Sequence, residues 1–315
     1  METLMLNETE VQRLLDPDML LDALAEGFKA LSEGLVDAPK RNGVSVPNTG
    51  FLLSMPAYQH GREITVKLVS VFHDNNRFGI PSHQAIICLF DTQTGSPLSF
   101  MDGNYITALR TGGAAALSTQ LLARTNTRVL AIIGAGVQGR SHLKMLPRVR
   151  QFSEIRIASE HFSHAEQLAA TDSRAHAVET AEQAVRGADV VCLCTHSGEP
   201  VISIDWLAPG THITSVGYNP PGGELDPKVI EHGRLYVETR MAFEPPPAGC
   251  GELVGFDPSI GTELGEVLLG QGLGRQSQDE ITVYKAMGHA CEDMAAASLV
   301  YRHAKQEGVG RTMVL

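Results

Sequence analysis

Gly134, Gly136 and Gly139 follow the apolar run Val129-Leu-Ala-Ile-Ile and open onto residues that read as a helix from Gln138. In a strand, turn and helix of this kind the first glycine makes the tight turn and the second lets the backbone approach a pyrophosphate. The third packs helix on strand, and the N–H groups of the first turn supply oriented donors. The glycine spacing alone is weak evidence. With the strand before it, the helix after it and a second strand near Ile157, it reads as a dinucleotide site built from Gly134, Gly136, Val137, Gln138 and Gly139. Ser159 and Glu160 occupy the end of that second strand, about 20 positions on, where a carboxylate accepts from a ribose 2′-hydroxyl and repels a 2′-phosphate. No Arg stands beside Glu160, which favours NAD as cofactor over NADP, with NADP still open. The competing reading of Glu160 is a solvated loop charge one position too late.

Four of the cations ahead of the glycine turn matter next: Lys40, Arg41, Lys67 and Arg110. Lys67 sits mid-strand between Val66 and Leu68, and Arg110 lies in a helix of otherwise small or apolar residues. A cation rarely occupies such surroundings without an anion. Arg can hold a carboxylate bidentately, whereas Lys offers a point charge that can also transfer a proton. Two partners remain open at this level: an anionic ligand, or an internal carboxylate such as Asp102 or Asp293.

The elements that must position these residues fall into two groups. Asp18 to Leu31 carries Leu20, Leu21, Leu24, Phe28 and Leu31 at helical spacing, after a shorter helical segment from Glu10. From Val44 to Phe90 the pattern turns to short β-rich runs separated by Pro, Gly and Asn, and a small-residue helix from Thr107 to Ala123 leads out of them. Beyond Arg128, strands at Val129, Ile155, Val190, His212 and Leu235 alternate with helices, the rhythm of a parallel sheet with right-handed crossovers. Glu263 to Leu269 reads as helical, and Asp279 to Lys305 as one long helix that returns to the first group. The expectation is an α/β protein: a Rossmann domain over 118–287 and a smaller α+β domain from 1–117 with 288–315. Thr195 and Gly217, at the ends of two of the expected strands, join the cofactor-binding candidates.

Composition narrows the partners. The chain has 315 residues, ample for two domains, and its net charge of −11 argues against nucleic acid or an anionic membrane, whose binding needs clustered Lys and Arg. A small molecule is the expected partner. The five cysteines are odd in number, scattered and mostly in apolar runs, as reduced thiols of a cytoplasmic protein would be. Cys192 and Cys194 share a strand face, yet no second Cys/His pair has zinc-site spacing, so no metal is expected. Neither a secretion signal nor a membrane span is read in the sequence.

Together these motifs resemble the ornithine cyclodeaminase/mu-crystallin family, which includes archaeal-type alanine dehydrogenase and ketimine or cyclic-imine reductases. The resemblance covers nearly the whole chain. It rests on Arg41, Ser54-Met55-Pro56, Lys67, the run from Thr107 through Arg110 to Ala116, Ile133 to Gly139, Gly187-Ala-Asp189, Trp206 to His212, Glu263 to Glu266, and Asp279-Glu280. It implies a homodimer whose smaller domain binds substrate and dimerises while the Rossmann domain holds the cofactor. It further implies that Arg41, Lys67 and Arg110 grip a substrate α-carboxylate, that Lys67 can also act on the reacting group, and that Met55 lines the pocket. Two departures stand out. Asn219 occupies the position of the cyclodeaminase base, an Asp, and an amide cannot accept a proton as a carboxylate does. Leu53 replaces the Glu that binds the distal amine of ornithine. The leading expectation is therefore an NAD(P)H-dependent reductase of α-imino or cyclic-imine carboxylates, with Lys67 and Asn219 as candidate catalytic residues. Ornithine cyclodeamination and a non-catalytic, crystallin-like role are the rivals. Leu53, His73, Asn75, Tyr218 and Asn219 are candidates for reading the substrate side chain.

Overall fold

The computed structural model describes residues 2–220 and 222–314, with the backbone alone at 76. Pro221, in the loop that carries Asn219, lies outside the described residues. The chain forms two compact units, one comprising residues up to Arg110 and from His289 onward, the other Thr111–Gly288.

In the first unit, strand β1 (Glu2–Leu6) precedes helices α1 (Glu8–Leu14) and α2 (Pro17–Ser32). Asn7 and Asp16 cap these helices through their side chains, and Leu20, Leu24 and Phe28 give α2 its buried stripe. Next come β2 (Val36–Asp37), β3 (Asn42–Val46), β4 (Gly50–Gln59), β5 (Ile64–Phe72), β6 (His83–Phe90) and β7 (Pro97–Asp102). The strands β3 to β7 pair antiparallel in succession, while β1 joins β7 in parallel. In β4 and β5 the odd-numbered positions from Leu53 to Ala57 and from Thr65 to Val71 are buried and the even ones are not, the alternation of a half-buried sheet. Helix α3 (Asn104–Leu122) then runs into the second unit.

The second unit is built from β8 (Val129–Ile133), α4 (Val137–Met145), β9 (Glu154–Ala158), α5 (Phe162–Ala169), β10 (Ala175–Ala177), α6 (Ala181–Val185), β11 (Val190–Leu193) and β12 (His212–Ser215). It continues with α7 (Pro227–His232), β13 (Arg234–Val237), β14 (Gly261–Glu263), α8 (Leu264–Leu268) and β15 (Thr282–Lys285). All eight strands pair in parallel in the order β10-β9-β8-β11-β12-β15-β13-β14. Strands β11, β12 and β15 are buried throughout, as strands covered on both faces must be. Asp189 ties the start of β8 to β11, accepting from the backbone N–H of Arg128 and Val129 and pairing with Arg124 at 2.6 Å.

The chain returns to the first unit in α9 (Ala290–Glu307) and ends in β16 (Arg311–Val314), antiparallel to β1. The expected single helix over 279–305 is thus incorrect. Thr282 and Val283 are β-branched, Tyr284 is aromatic, and all three fill the gap between β12 and β13, so the sheet outcompetes the helix. Gly288, at φ +77°, then turns the backbone, and His289 caps α9. Residues 290 to 300 of α9 are buried on every side, and alanines let it approach its neighbours closely: Gly27 of α2 would place a Cβ 3.7 Å from that of Ala295.

The second unit encloses two neutral histidines. Burial lowers His212 to about 3, with the charges of Arg275 and Arg150 adding to it, and lowers His142 to about 4. His212 is bracketed by the hydroxyls of Thr282 (2.9 Å) and Ser118 (3.3 Å). Below the ordinary histidine value the unfolded chain takes up protons that the folded chain refuses, so stability is lost as pH falls from 6.5 toward 4. Thermal denaturation should show this slope, at most about 1.4 kcal/mol per pH unit for each such histidine, and His212→Gln should flatten it.

Candidate functional site

In the first unit, β5 presents Lys67 on its buried face, opposite Met55 of β4 and Ile87 of β6. Helix α9 meets that face with adjacent acidic residues in its first turn. Lys67 Nζ lies 2.7 Å from Asp293 Oδ2, and Arg110 reaches the other oxygen of Asp293 through Nε and Glu292 through Nη1, each at 3.2 Å. The four side chains are at most 5% exposed. The internal salt bridge foreseen for Lys67 and Arg110 therefore exists, and its centre is Asp293. Asp102 instead accepts from Asn104 and from the backbone N–H of Tyr105.

The same region draws in Arg41 and His289. Burial first, and then the charges of Arg110 and Arg41, lower Lys67 to about 8 against the opposing pull of Asp293. Burial and the charges of Arg41, Arg110 and Lys67 likewise lower His289 to about 4, so its ring is neutral. His289 Nδ1 accepts from the backbone N–H of Cys291, and the His289 N–H donates to Glu292 Oε1 at 2.6 Å. The arrangement thus sets two cations on two carboxylates, with the charge of Arg41 felt at Lys67 and His289, and holds a lysine whose proton is exchangeable near neutral pH. Met55 and Leu53 are buried on the same face of β4, whereas Lys40 is exposed. His73 and Asn75 lie in a short 3-10 turn over His73–Phe78, where Asn75 donates to the carbonyl of Pro81.

In the second unit the three glycines hold distinct places. Gly134 has φ +104°, and a Cβ there would lie 2.5 Å from the carbonyl oxygen of Cys194. A Cβ on Gly139 would lie 2.0 Å from the carbonyl of Gly134, so helix and turn touch backbone to backbone. A Cβ on Gly136 would meet nothing within 4 Å. Gly136 is also the N-cap of α4 and offers its N–H groups no side-chain acceptor; Val137 is exposed beside it, and Gln138 Oε1 is buried without a partner among the described residues. An exposed helix N-terminus with uncapped donors and no obstructing side chain fits a pyrophosphate. Ser159 and the exposed Glu160 follow β9 directly.

On the other side of β8, Thr195 and Gly217 follow β11 and β12 and are held by one carboxylate absent from the expectations, Glu224. It accepts from the N–H and hydroxyl of Thr195, both at 2.7 Å, from Gly217 N–H at 2.7 Å and from Ser215 at 3.0 Å. Lys285, fully buried, donates to Ser215 and to the Gly217 carbonyl and pairs with Glu252 at 2.7 Å. Lys285, between Tyr284 and Ala286, carries the same signal as Lys67, a lysine in apolar surroundings, which a helix over 279–305 would not bury in a sheet. Asn219 donates its amide to the carbonyl of His196 at 2.9 Å, joining the loops after β11 and β12. The five cysteines are free, burial pushes Cys192 up to about 12, and among the described residues no three His, Cys, Asp or Glu side chains gather as a metal site.

Residues 1–308 match the model of the ornithine cyclodeaminase/mu-crystallin family. Ketimine reductase mu-crystallin of Mus musculus is 37% identical over 285 residues, spanning 89% of this chain and 90% of that protein. The Thermococcus litoralis Δ1-pyrroline-2-carboxylate reductase, solved in complex with NADH and L-proline, superposes with a TM-score of 0.93 at 31% identity over 99% of this chain and all of that one. An archaeal alanine dehydrogenase dimer with bound NAD gives 0.90 at 30% identity over the full length of both.

The glycine geometry separates binding from folding. Gly136→Ala should leave the melting temperature nearly unchanged while weakening NADH binding, followed by fluorescence, by about tenfold or more. Gly139→Ala should destabilise the protein by about 1–3 kcal/mol through overpacking.

Proposed function

The chain belongs to the ornithine cyclodeaminase/mu-crystallin family, and on that premise we propose that it is an NAD(H)-dependent reductase of α-imino or cyclic-imine carboxylates, acting in reverse as an amino-acid dehydrogenase. The observation that carries this reading is the buried set of Lys67 and Arg110 on Glu292 and Asp293, to which half-buried Arg41 adds its charge. Positive charge gathered at this place favours a ligand with a carboxylate. The proline and NADH held by the Thermococcus enzyme are a product and a cofactor of this kind. Exposed Glu160 after β9 supports NAD over NADP.

In the proposed reaction Arg41 and Arg110 hold the substrate carboxylate, which orients the carbon of the C=N bond. Bound nicotinamide supplies the hydride that this carbon accepts. As the bond is reduced its electron pair moves onto nitrogen, and Lys67 Nζ delivers the proton that nitrogen takes up. Asp293 holds that ammonium in place at 2.7 Å, and Met55 lines the pocket beside it. Asn219 carries an amide that cannot serve as a base, which supports net reduction over cyclodeamination.

We also propose that the protein is a cytoplasmic homodimer. Val44, Val46, Leu52 and Ile86 are exposed on the face of the first-unit sheet opposite α9, an apolar surface suited to a second copy of itself. The free, mostly buried cysteines fit a reducing compartment, and among the described residues no helix is long and apolar enough to cross a membrane.

Pyrroline-2-carboxylate, piperideine-2-carboxylate and pyruvate with ammonia, followed by NADH absorbance, test the reading; turnover of none by folded protein that binds cofactor would sink it. The kcat/KM of the productive substrate should fall as pH rises through about 8, where Lys67 loses its proton. Lys67→Met should lower it by about 10²- to 10⁴-fold and abolish that limb, and Lys67→Arg, which keeps charge but not an exchangeable proton, should not rescue it. Leu52→Glu should shift the mass measured by light scattering from dimer to monomer.

A further inference from the structure

Two carboxylates and one ammonium are buried together where β11, β12 and β15 end in the second unit. Glu224 and Lys285 are fully buried, and the Glu252 side chain is 6% exposed. Glu224 accepts four donors, from Thr195 N and Oγ1, Ser215 Oγ and Gly217 N, and gives none, the pattern of an ionised carboxylate. Glu252 pairs with Lys285 at 2.7 Å and accepts from the Leu225 N–H. Although burial works to lower it, the carboxylates of Glu252 and Glu224 help to hold Lys285 above its ordinary value. One ammonium thus faces two carboxylates, and a net negative charge remains. Its field reaches the end of β11, where Glu224 adds to burial in raising Cys192 and Cys194.

The strand order says which part of a dinucleotide this charge would meet. Strand β8 carries the glycine turn, and the sheet continues through β9 and β10 on one side and through β11, β12 and β15 on the other. A dinucleotide lies across the carboxyl ends at this reversal, with its pyrophosphate at the turn after β8. If its adenosine ribose meets Glu160 after β9, its nicotinamide extends over the loops after β11 and β12. Those are the loops that Glu224 holds, through Thr195 and Gly217. The contact is tight: a Cβ on Gly217 would lie 2.5 Å from the Glu224 carboxyl carbon, so no side chain fits there.

We propose that Glu224, with Glu252 and Lys285, places one uncompensated negative charge beneath the nicotinamide end of the cofactor site and thereby favours the oxidised, cationic cofactor over the reduced, neutral one. This rests on the NAD(H) reading above. A bound cofactor biased toward its oxidised form is a stronger hydride donor in its reduced form, which suits net reduction. Glu224 is in this sense a positioning and charge-setting residue.

The test is the ratio of dissociation constants for NAD+ and NADH, measured on the full chain by calorimetry and by NADH fluorescence. Glu224→Gln removes one charge at nearly constant shape and should raise Kd(NAD+)/Kd(NADH) by about tenfold, the effect of one charge at about 10 Å in an effective dielectric near 20. Glu252→Gln, which leaves the bonds to Thr195 and Gly217 intact, should shift the ratio in the same direction, and it carries the test if Glu224→Gln does not fold. An unchanged ratio in a folded variant, including parallel weakening of both forms, overturns the proposal. Failure of the unaltered protein to bind either form would overturn the NAD(H) reading beneath it as well.

Discussion

Asp293 is the carboxylate on which the first unit depends. It is fully buried, and one of its oxygens faces Lys67 while the other faces Arg110. Any of these charges alone would be costly at that depth, and removal of one would leave the others uncompensated. The three therefore require one another, and they come from three distant parts of the chain: a strand, a helix and the returning C-terminal helix. Their mutual need holds α9 against the sheet in a single register. The capping of α9 belongs to the same arrangement, since Glu292 closes the helix N-terminus through His289 and also pairs with Arg110.

The cluster has a second property that a purely structural salt bridge lacks. Lys67 and His289 are both displaced downward by the charges of Arg110 and Arg41 as well as by burial. Lys67 is brought into the range where a proton can be given up near neutral pH, while His289 is kept neutral and available as a hydrogen-bonding group. A salt bridge to Asp293 and the proposed chemistry would draw on the same groups, so the structural reading of Lys67 and Arg110 does not exclude the functional one.

The second unit solves a different problem by backbone means. At Gly134 and Gly139 the approach is so close that no side chain fits, and at Gly136 the space is open. Hydrogen bonds to a buried Glu224 do for the loops after β11 and β12 what the glycines do for the turn after β8: they hold loop backbone in one conformation at the carboxyl edge of the sheet. Rigid strands then carry the precision, and the loops inherit it.

Local pattern was enough for much of this. The alternation of strands and helices specified the α/β class because period and turn residues act over short distances, and the glycine turn was legible because its three positions lie within six residues. Lys67 and Arg110 were conspicuous as charges in apolar surroundings. Long-range contact was not legible. Residues 279–305 read as one helix because Ala and Met dominate the segment from Ala286 onward, and only the vacancy between β12 and β13 turned Thr282 to Lys285 into a strand. Lys285, Glu224 and Glu252 carry no local signal of their roles for the same reason: Glu224 meets Thr195, and Lys285 meets Ser215 and Glu252, across long stretches of chain. The sequence by itself determined which residues are unusual and what chemistry each can do. Only the tertiary structure decided which of them meet, because the energy of a buried charge depends on a neighbour that no local pattern names.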